Sequence, residues 1–197
     1  MRILLFDVST QVMYIGYAKD GELVDYSIRL SKRDHAKYIV DRIHQLLERN
    51  HIGLKDIDQI IVGKGPGSYT GLRIAGTVAK TLAYATNIPL YQVSSLIMMT
   101  SGYQGMVCAM QDARRGNVFS TIYKQGQVIL EDALRSLESL QQSIEYKKAQ
   151  SIFIDEDTYL INIQVILKHI QKVEDVHAYE PFYARITEAE QRADQKS

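Results

Sequence analysis

A glycine-rich segment between an apolar strand and a helix is the feature that most constrains the fold. It reads Gly65-Pro66-Gly67-Ser68-Tyr69-Thr70-Gly71-Leu72-Arg73. A β-branched run ends at Val62, and small and apolar residues recur at the helical period from Leu72 onwards. Glycine lets a backbone approach an anion or another backbone closely. The segment predicts an α/β protein in which this loop is either a tightly packed turn or a phosphate-binding loop, and it lacks the Gly-Lys-Ser/Thr of a Walker loop.

Composition describes an ordinary globular protein. The 197 residues are 46% hydrophobic and 23% charged, which disfavours the membrane and disordered classes. Because 23 basic and 23 acidic side chains cancel, a nucleic-acid role would need a partner or a local basic patch. The apolar run before Asp7 is too short for a signal peptide, and the single Cys108 fits a reducing compartment. We therefore expect a cytoplasmic protein without membrane contact.

The order of predicted elements occurs twice. In the first half we predict strands at 2–8, 12–19 and 22–29, a helix at 31–50, a strand at 59–63, a helix at 72–86, a strand at 90–93 and a helix at 94–101. In the second half we predict strands at 106–111, 117–124 and 127–130, a helix at 136–146, a strand at 151–154 and a helix at 158–171. The sequence thus predicts two lobes, 1–101 and 102–185, and a polar, flexible tail at 186–197.

Two turns carry residues that suit phosphate chemistry. Asp7, Ser9 and Thr10 follow the first strand, where they either hold a magnesium-bound phosphate or satisfy the amides of the turn. Asp112-Ala113-Arg114-Arg115-Gly116 opens the second half. Its arginines either clamp an anion or pair locally with Asp112.

These landmarks together resemble the bacterial TsaB (YeaZ) family. The resemblance covers about residues 1–185 and rests on the order of elements and four motifs, of which the glycine loop is the most specific. The four are Asp7-Val8-Ser9-Thr10, Gly65–Arg73, Asp112–Gly116 and Tyr179-Glu180-Pro181-Phe182-Tyr183-Ala184-Arg185. The resemblance implies the actin-like ATPase (ASKHA) fold with two ribonuclease-H-like lobes, of which the second is truncated.

The same resemblance implies a non-catalytic subunit. Members of the family bind and activate TsaD, together with TsaE, for threonylcarbamoyl transfer to the adenosine beside the anticodon of tRNAs that read A-starting codons. It implies a heterodimer with TsaD through the first two helices, a homodimer when the chain is alone, and contact with tRNA only through the complex. ATP and a metal are then expected on the partner proteins, and this chain is expected to bind neither by itself.

The residues support that expectation in two ways. All glycines lie at or before Gly126, so the second half lacks the glycine-rich turn at which an adenosine would approach the backbone. No two histidines stand four residues apart on a helix as metal ligands would.

The site residues that the resemblance implies fall into two sets. The candidates for the partner interface are His35, Tyr38, Ile39, Arg42, Leu46, Arg73, Ala75, Gly76, Ala79 and Lys80. The vestigial phosphate or turn motifs are Asp7, Ser9, Thr10, Gly65, Gly67, Ser68, Thr70 and Gly71. Two other functions stay open: a small ATPase or sugar kinase using Asp7, Thr10 and the glycine loop, and a peptidase using Ser68 as nucleophile.

Overall fold

Two β-sheets organise the chain, one for each predicted lobe. The computed structural model describes residues 1–30 and 34–184. The predicted tail at 186–197 therefore lies outside the described residues, as does Arg185. The strands are β1 Arg2–Asp7, β2 Val12–Lys19, β3 Glu22–Leu30, β4 Gln59–Gly63, β5 Leu90–Val93, β6 Met106–Asp112, β7 Asn117–Lys124, β8 Gln127–Ser136, β9 Gln150–Phe153 and β10 Gln171–Lys172. The helices are α1 His35–Arg49, α2 Tyr69–Thr86, α3 Ser95–Thr100, α4 Leu137–Gln142, α5 Ile144–Lys148 and α6 Ile163–Leu167, with a 3-10 turn at Leu54–Asp56.

The first sheet has the strand order β10-β5-β4-β1-β2-β3. Strand β1 lies in its middle, antiparallel to β2 and parallel to β4. Successive side chains of β1 point to opposite faces of the sheet, and both faces are covered, so alternate residues pack in two different cores. Leu4 and Phe6 pack with α1 and α2, whereas Ile3 and Leu5 pack with α6. This double covering fixes the end of β1, and hence Asp7, in the interior.

The second sheet repeats the arrangement in a smaller form, with the order β8-β7-β6-β9. Strand β6 is antiparallel to β7 and parallel to β9, as β1 is to β2 and β4. The predicted helix at 136–146 is two short helices instead, because Ser143 ends α4 and its hydroxyl caps α5. Within the described ranges, no helix has the length and apolar character that crossing a membrane requires.

The prediction of a long helix at 158–171 is wrong. Leu160 is extended and exchanges backbone hydrogen bonds with Met99 and Gly102, at 3.0 and 2.7 Å. Only Ile163–Leu167 is helical, and Gln171–Lys172 then joins the edge of the first sheet beside β5. The apolar residues of α6 pack against the first sheet, so contacts distant in sequence override the local helical pattern. Residues 160–172, which the sequence assigned to the second lobe, lie on the first.

The chain then crosses α2 as a strap, residues 176–184, which we call the C-terminal strap. The Lys80 amine donates to the carbonyls of His177 and Tyr179, at 2.7 and 3.3 Å. The Phe182 N–H donates to the Lys64 carbonyl at 2.7 Å, and the Tyr183 ring packs on that of Tyr69. The C-terminal strap therefore covers both α2 and the glycine loop.

Candidate functional site

The Asp7 carboxylate is enclosed and fully hydrogen-bonded. Its Oδ1 accepts the Ser9 N–H at 2.7 Å and the Ser9 hydroxyl at 2.6 Å, while Oδ2 accepts the Ser95 hydroxyl. Burial raises the pKa of Asp7, against the opposing effect of these hydrogen bonds. A Cβ at Gly63 would stand 1.8 Å from Oδ2, so the strand beside it must carry glycine. The carboxylate faces protein on all these sides rather than a ligand.

The glycine loop lies directly on the turn between β1 and β2. The Ser68 N–H donates to the Ser9 carbonyl at 2.7 Å. A Cβ would stand 2.5 Å from that carbonyl oxygen at Gly67, and 1.9 Å from the Val8 oxygen at Gly71. These contacts support the packed-turn interpretation, because the Ser68 amide and the two glycines meet the backbone of the β1–β2 turn instead of an open anion site.

The two lobes also meet across this turn. The Thr10 hydroxyl is 2.6 Å from the Tyr159 hydroxyl, and the Gln111 amide donates to the Ser9 carbonyl at 3.0 Å. A nucleotide phosphate with its metal would need Asp7 and the loop amides, but protein groups already bind both Asp7 oxygens and the N–H groups of Gly65 and Ser68. The residues present do not fit that ligand.

Neither Ser68, the nucleophile of the peptidase hypothesis, nor the neighbouring Ser9 has a histidine base hydrogen-bonded to it. Ser68 precedes α2 and its hydroxyl accepts the Gly71 N–H at 3.3 Å, whereas the Ser9 hydroxyl donates to Asp7. In residues 1–30 and 34–184, no hydrogen bond joins either serine to a histidine. The loop therefore uses Ser68 as the N-cap of α2.

Most of the predicted interface residues lie inside the first lobe, which corrects that set. The buried ones are His35, Ile39, Leu46, Ala75, Gly76 and Ala79. The small residues of α2 do allow close approach, but to the C-terminal strap: a Cβ at Gly76 would stand 3.2 Å from Pro181 and 3.3 Å from Tyr179. Of the remaining four, Lys80 binds the strap, Tyr38 lies under the Arg29 guanidinium, Arg42 is half-buried and Arg73 is exposed. Sequence periodicity identified helix faces that pack, without revealing what they pack against.

His35 is the least expected of these placements. Burial lowers the pKa of its imidazole, while a hydrogen bond to the Thr10 backbone acts in the opposite direction. His35 thus supports the β1–β2 turn from α1, and is not at the surface.

An open apolar groove separates α1 from α2, and we call it the helix groove. Its volume is about 510 Å³, and its lining is Ala36, Ile39, Val40, Tyr69, Thr70, Arg73, Ile74, Thr77 and Val78. Val40 and Tyr69 are 59% and 45% exposed. Sequence reasoning missed Val40, Ile74, Thr77 and Val78. For Ile74, Thr77 and Val78 the signal was available, because these positions form a helical stripe on α2 beside the buried alanines.

A second carboxylate, that of the half-buried Asp132, joins β8 to α3. Its Oδ1 accepts the Ser94 hydroxyl at 2.8 Å, and that hydroxyl also caps α3. Burial raises the pKa of Asp132 to about 6, although Ser94, Lys64 and Thr121 favour the charged form. Above that pH, the contact between Ser94 and Asp132 contains a charged carboxylate that is partly shielded from water.

We predict that Asp132→Asn stabilises the protein at pH 8 but not at pH 4. A folded-state pKa above the unfolded one gives stability that is complete below the unfolded value and is lost as the pH rises through about 6. The amide keeps the acceptor for Ser94 and avoids the cost of the charge, about 3 kcal/mol at pH 8. Urea denaturation across this pH range measures the difference, with exposed Asp157→Asn as the control. A stability difference independent of pH would contradict the prediction.

Comparison with known proteins agrees with the fold and with the family resemblance. The family model described as "TsaD: tRNA N6-adenosine threonylcarbamoyltransferase" matches residues 29–189. A TsaB protein of Bacillus subtilis, described as a tRNA threonylcarbamoyladenosine biosynthesis protein, is 32% identical over 183 residues, which are 89% of this chain and 76% of the relative. The TsaB protein of Escherichia coli is 33% identical over 130 residues, 64% of this chain and 56% of the relative, so the match spans about half of its length.

A solved structure agrees over a longer range. The structure titled "YeaZ from Pseudomonas aeruginosa" aligns with 92% of this chain and 99% of its own, at a TM-score of 0.71 and 22% identity. The predicted class is confirmed: this is a two-lobed protein of the actin-like ATPase fold, related to the threonylcarbamoyltransferases. Within that class, the chain belongs to the TsaB (YeaZ) family.

Proposed function

We propose that this chain is a non-catalytic subunit that binds TsaD and, with TsaE, activates threonylcarbamoyl transfer to the adenosine beside the anticodon. The observation that carries the proposal is the helix groove, an open apolar surface of about 510 Å³ between α1 and α2. Apolar grooves between helices accept the apolar face of another helix. The relatives' description as tRNA threonylcarbamoyladenosine biosynthesis proteins supports this pathway.

The groove suits a protein partner because its exposed apolar side chains are rimmed by polar ones. Val40 and Tyr69 offer apolar area, while Thr77 and Arg73 can donate hydrogen bonds at the edge. A second copy of this chain could use the same surface when TsaD is absent. We propose that TsaD and the second copy compete for it, and that the complex works in the cytoplasm, where it meets tRNA.

The protein contacts already made by Asp7 and the glycine loop support a non-catalytic role. Asp7 accepts hydrogen bonds from Ser9 and Ser95, and the glycine loop binds the β1–β2 turn. We propose that ATP and metal are bound by the partner proteins. A subunit without chemistry can still accelerate a partner by binding its competent conformation more tightly, and a few kcal/mol of difference is enough.

Reconstitution tests the proposal directly. TsaD, TsaE, the adenylate-forming enzyme and tRNA are combined with and without this chain, and the modified adenosine is measured by mass spectrometry. We expect modification only when the chain is present, and co-elution of the chain with TsaD. Full activity without it would reject the proposal.

The ATPase alternative makes a different prediction for the isolated chain. Calorimetry with Mg-ATP is expected to show no binding in the micromolar range, because Asp7 and the amides of Gly65 and Ser68 already have protein partners. Micromolar binding that Asp7→Asn abolishes would favour the small ATPase or sugar kinase instead.

A further inference from the structure

The hairpin between β6 and β7 holds two arginines in an unfavourable backbone conformation. Arg114, Arg115 and Gly116 have φ values of 66, 55 and 72°. Such left-handed positions are normally filled by glycine, asparagine or aspartate, because other side chains crowd the backbone there. Arginine at two of these positions does not stabilise the turn. A strained position of this kind suggests that the side chains have another use.

The turn itself is held by backbone and Asp112. The Ala113 N–H donates to the Asn117 carbonyl at 3.0 Å, and the Asn117 N–H donates to the Arg114 carbonyl at 3.1 Å. Asp112 Oδ1 accepts the backbone N–H of Arg114 at 2.8 Å. The ion pair with Asp112 that the sequence left open is not formed, since the carboxylate serves the backbone. Both arginine side chains are exposed, and neither makes an ion pair with any described residue.

Several other arginines of the chain do pair with carboxylates. Arg29 bonds Asp34 through both terminal nitrogens at 2.7 Å. Arg49 approaches Asp25 at 2.5 Å, and Arg2 lies 3.8 Å from an aspartate. Because Asp112 carries one negative charge, the exposed hairpin has a local excess of one positive charge in a protein of zero net charge.

The β6–β7 hairpin lies away from the helix groove, so a ligand at the hairpin would not cover the groove. The groove is on the first lobe, whereas the hairpin belongs to the second and adjoins the β1–β2 turn, where Gln111 donates to the Ser9 carbonyl at 3.0 Å. A partner seated between α1 and α2 and a ligand at the hairpin therefore contact different lobes.

We infer that Arg114 and Arg115 bind phosphate groups of the tRNA backbone when the chain is assembled with its partner. Guanidinium groups bond phosphate oxygens in bidentate fashion, and backbone phosphates supply much of the affinity for RNA. A chain without net charge can contribute such contacts only through a local cluster. The inference rests on the proposed function, which brings tRNA to the complex.

The test measures tRNA binding to the assembled complex across a series of salt concentrations. The variant is Arg114→Asn with Arg115→Gly, which removes both charges and places suitable residues at the left-handed positions. The control, Lys147→Ala with Lys148→Ala, removes two exposed charges from α5 of the same lobe. We expect the hairpin variant to weaken tRNA binding about tenfold or more and to lower the slope of log affinity against log salt by about 1 for each phosphate that is no longer bound. The control should change neither quantity.

Two further measurements separate the possible roles. Because the variant suits the turn better, its Tm should stay equal or rise by a few degrees, whereas a structural role for the arginines would lower it. Co-elution with TsaD should persist. Unchanged tRNA affinity in an intact complex would overturn the inference alone, as would loss of TsaD binding by the variant. Failure of the unmodified chain to bind TsaD would reject the proposed function and this inference together.

Discussion

Val40→Arg is expected to abolish co-elution with TsaD while leaving the fold intact. Val40 lies in the helix groove and is 59% exposed, so an arginine there meets no core atoms in the free chain. A partner seated in the groove would have to bury the charge or be displaced by the longer side chain. Changes at interface hot spots cost about 2–4 kcal/mol, and we expect a loss near 3 kcal/mol, which lowers affinity about 100-fold. Calorimetry or analytical gel filtration measures it.

Gln45→Arg is the matched control, because it adds the same side chain to another exposed position of α1 outside the groove lining. It should leave TsaD binding unchanged. Thermal unfolding of both variants should match that of the unmodified chain, since exposed substitutions usually change stability by about 0.5 kcal/mol or less. Equal binding by the Val40 and Gln45 variants would remove the groove from the proposed interface. The same pair tests the homodimer, which should dissociate only with Val40→Arg.

The choice of Val40 shows where sequence reasoning reached its limit. Periodicity on α2 favours Ala79 for such a test, because small residues recur on that face. Ala79 is fully buried, so an arginine there would unfold the lobe and say nothing about the partner. An amphipathic pattern says that a face is buried, but a core, a strap and a partner all demand the same small and apolar residues.

Other elements followed from local signals alone. Asp20 and Gly21 link β2 to β3 with positive φ at both residues, as is typical of an Asp-Gly pair in a tight hairpin. The buried strand ending at Gly63 and the loop after it were equally clear. In contrast, β10 has only Gln171 and Lys172. These two residues form a strand because they pair with the edge of β5 where the chain returns from the second lobe. A strand defined by its partner leaves no pattern in its own sequence.

The sequence could not decide between a packed turn and a phosphate-binding loop, because both need the same residues. A loop that receives a phosphate and a loop that receives a neighbouring carbonyl both need glycine and both precede a helix. What decides is the neighbour, here the carbonyls of Val8 and Ser9, which lie more than fifty residues earlier in the chain. That distinction can be tested by the sign of a change in stability.

Gly71→Ala is expected to destabilise the protein by about 3 kcal/mol or more, and to lower its Tm by roughly 6–12 °C. A Cβ at this position would stand 1.9 Å from the Val8 carbonyl oxygen and 3.0 Å from its carbon. Backbone cannot rotate aside as a side chain can, so the start of α2 must move away from the β1–β2 turn. That movement would break the hydrogen bond from Ser68 to Ser9, and would also displace Tyr69 at the mouth of the helix groove.

If the loop were an open phosphate-binding loop, Gly71→Ala would instead stabilise the protein. Gly71 lies in the first turn of α2, and replacing glycine by alanine inside a helix with free space gains up to about 1 kcal/mol. Gly53→Ala is the control, because its nearest neighbour would be the Asp56 carboxylate at 3.6 Å, an ordinary contact. Thermal and urea unfolding of the two variants should differ by several degrees in Tm. A stabilised Gly71 variant would mean that Val8 does not support the loop, and the vestigial-site interpretation would then fail with it.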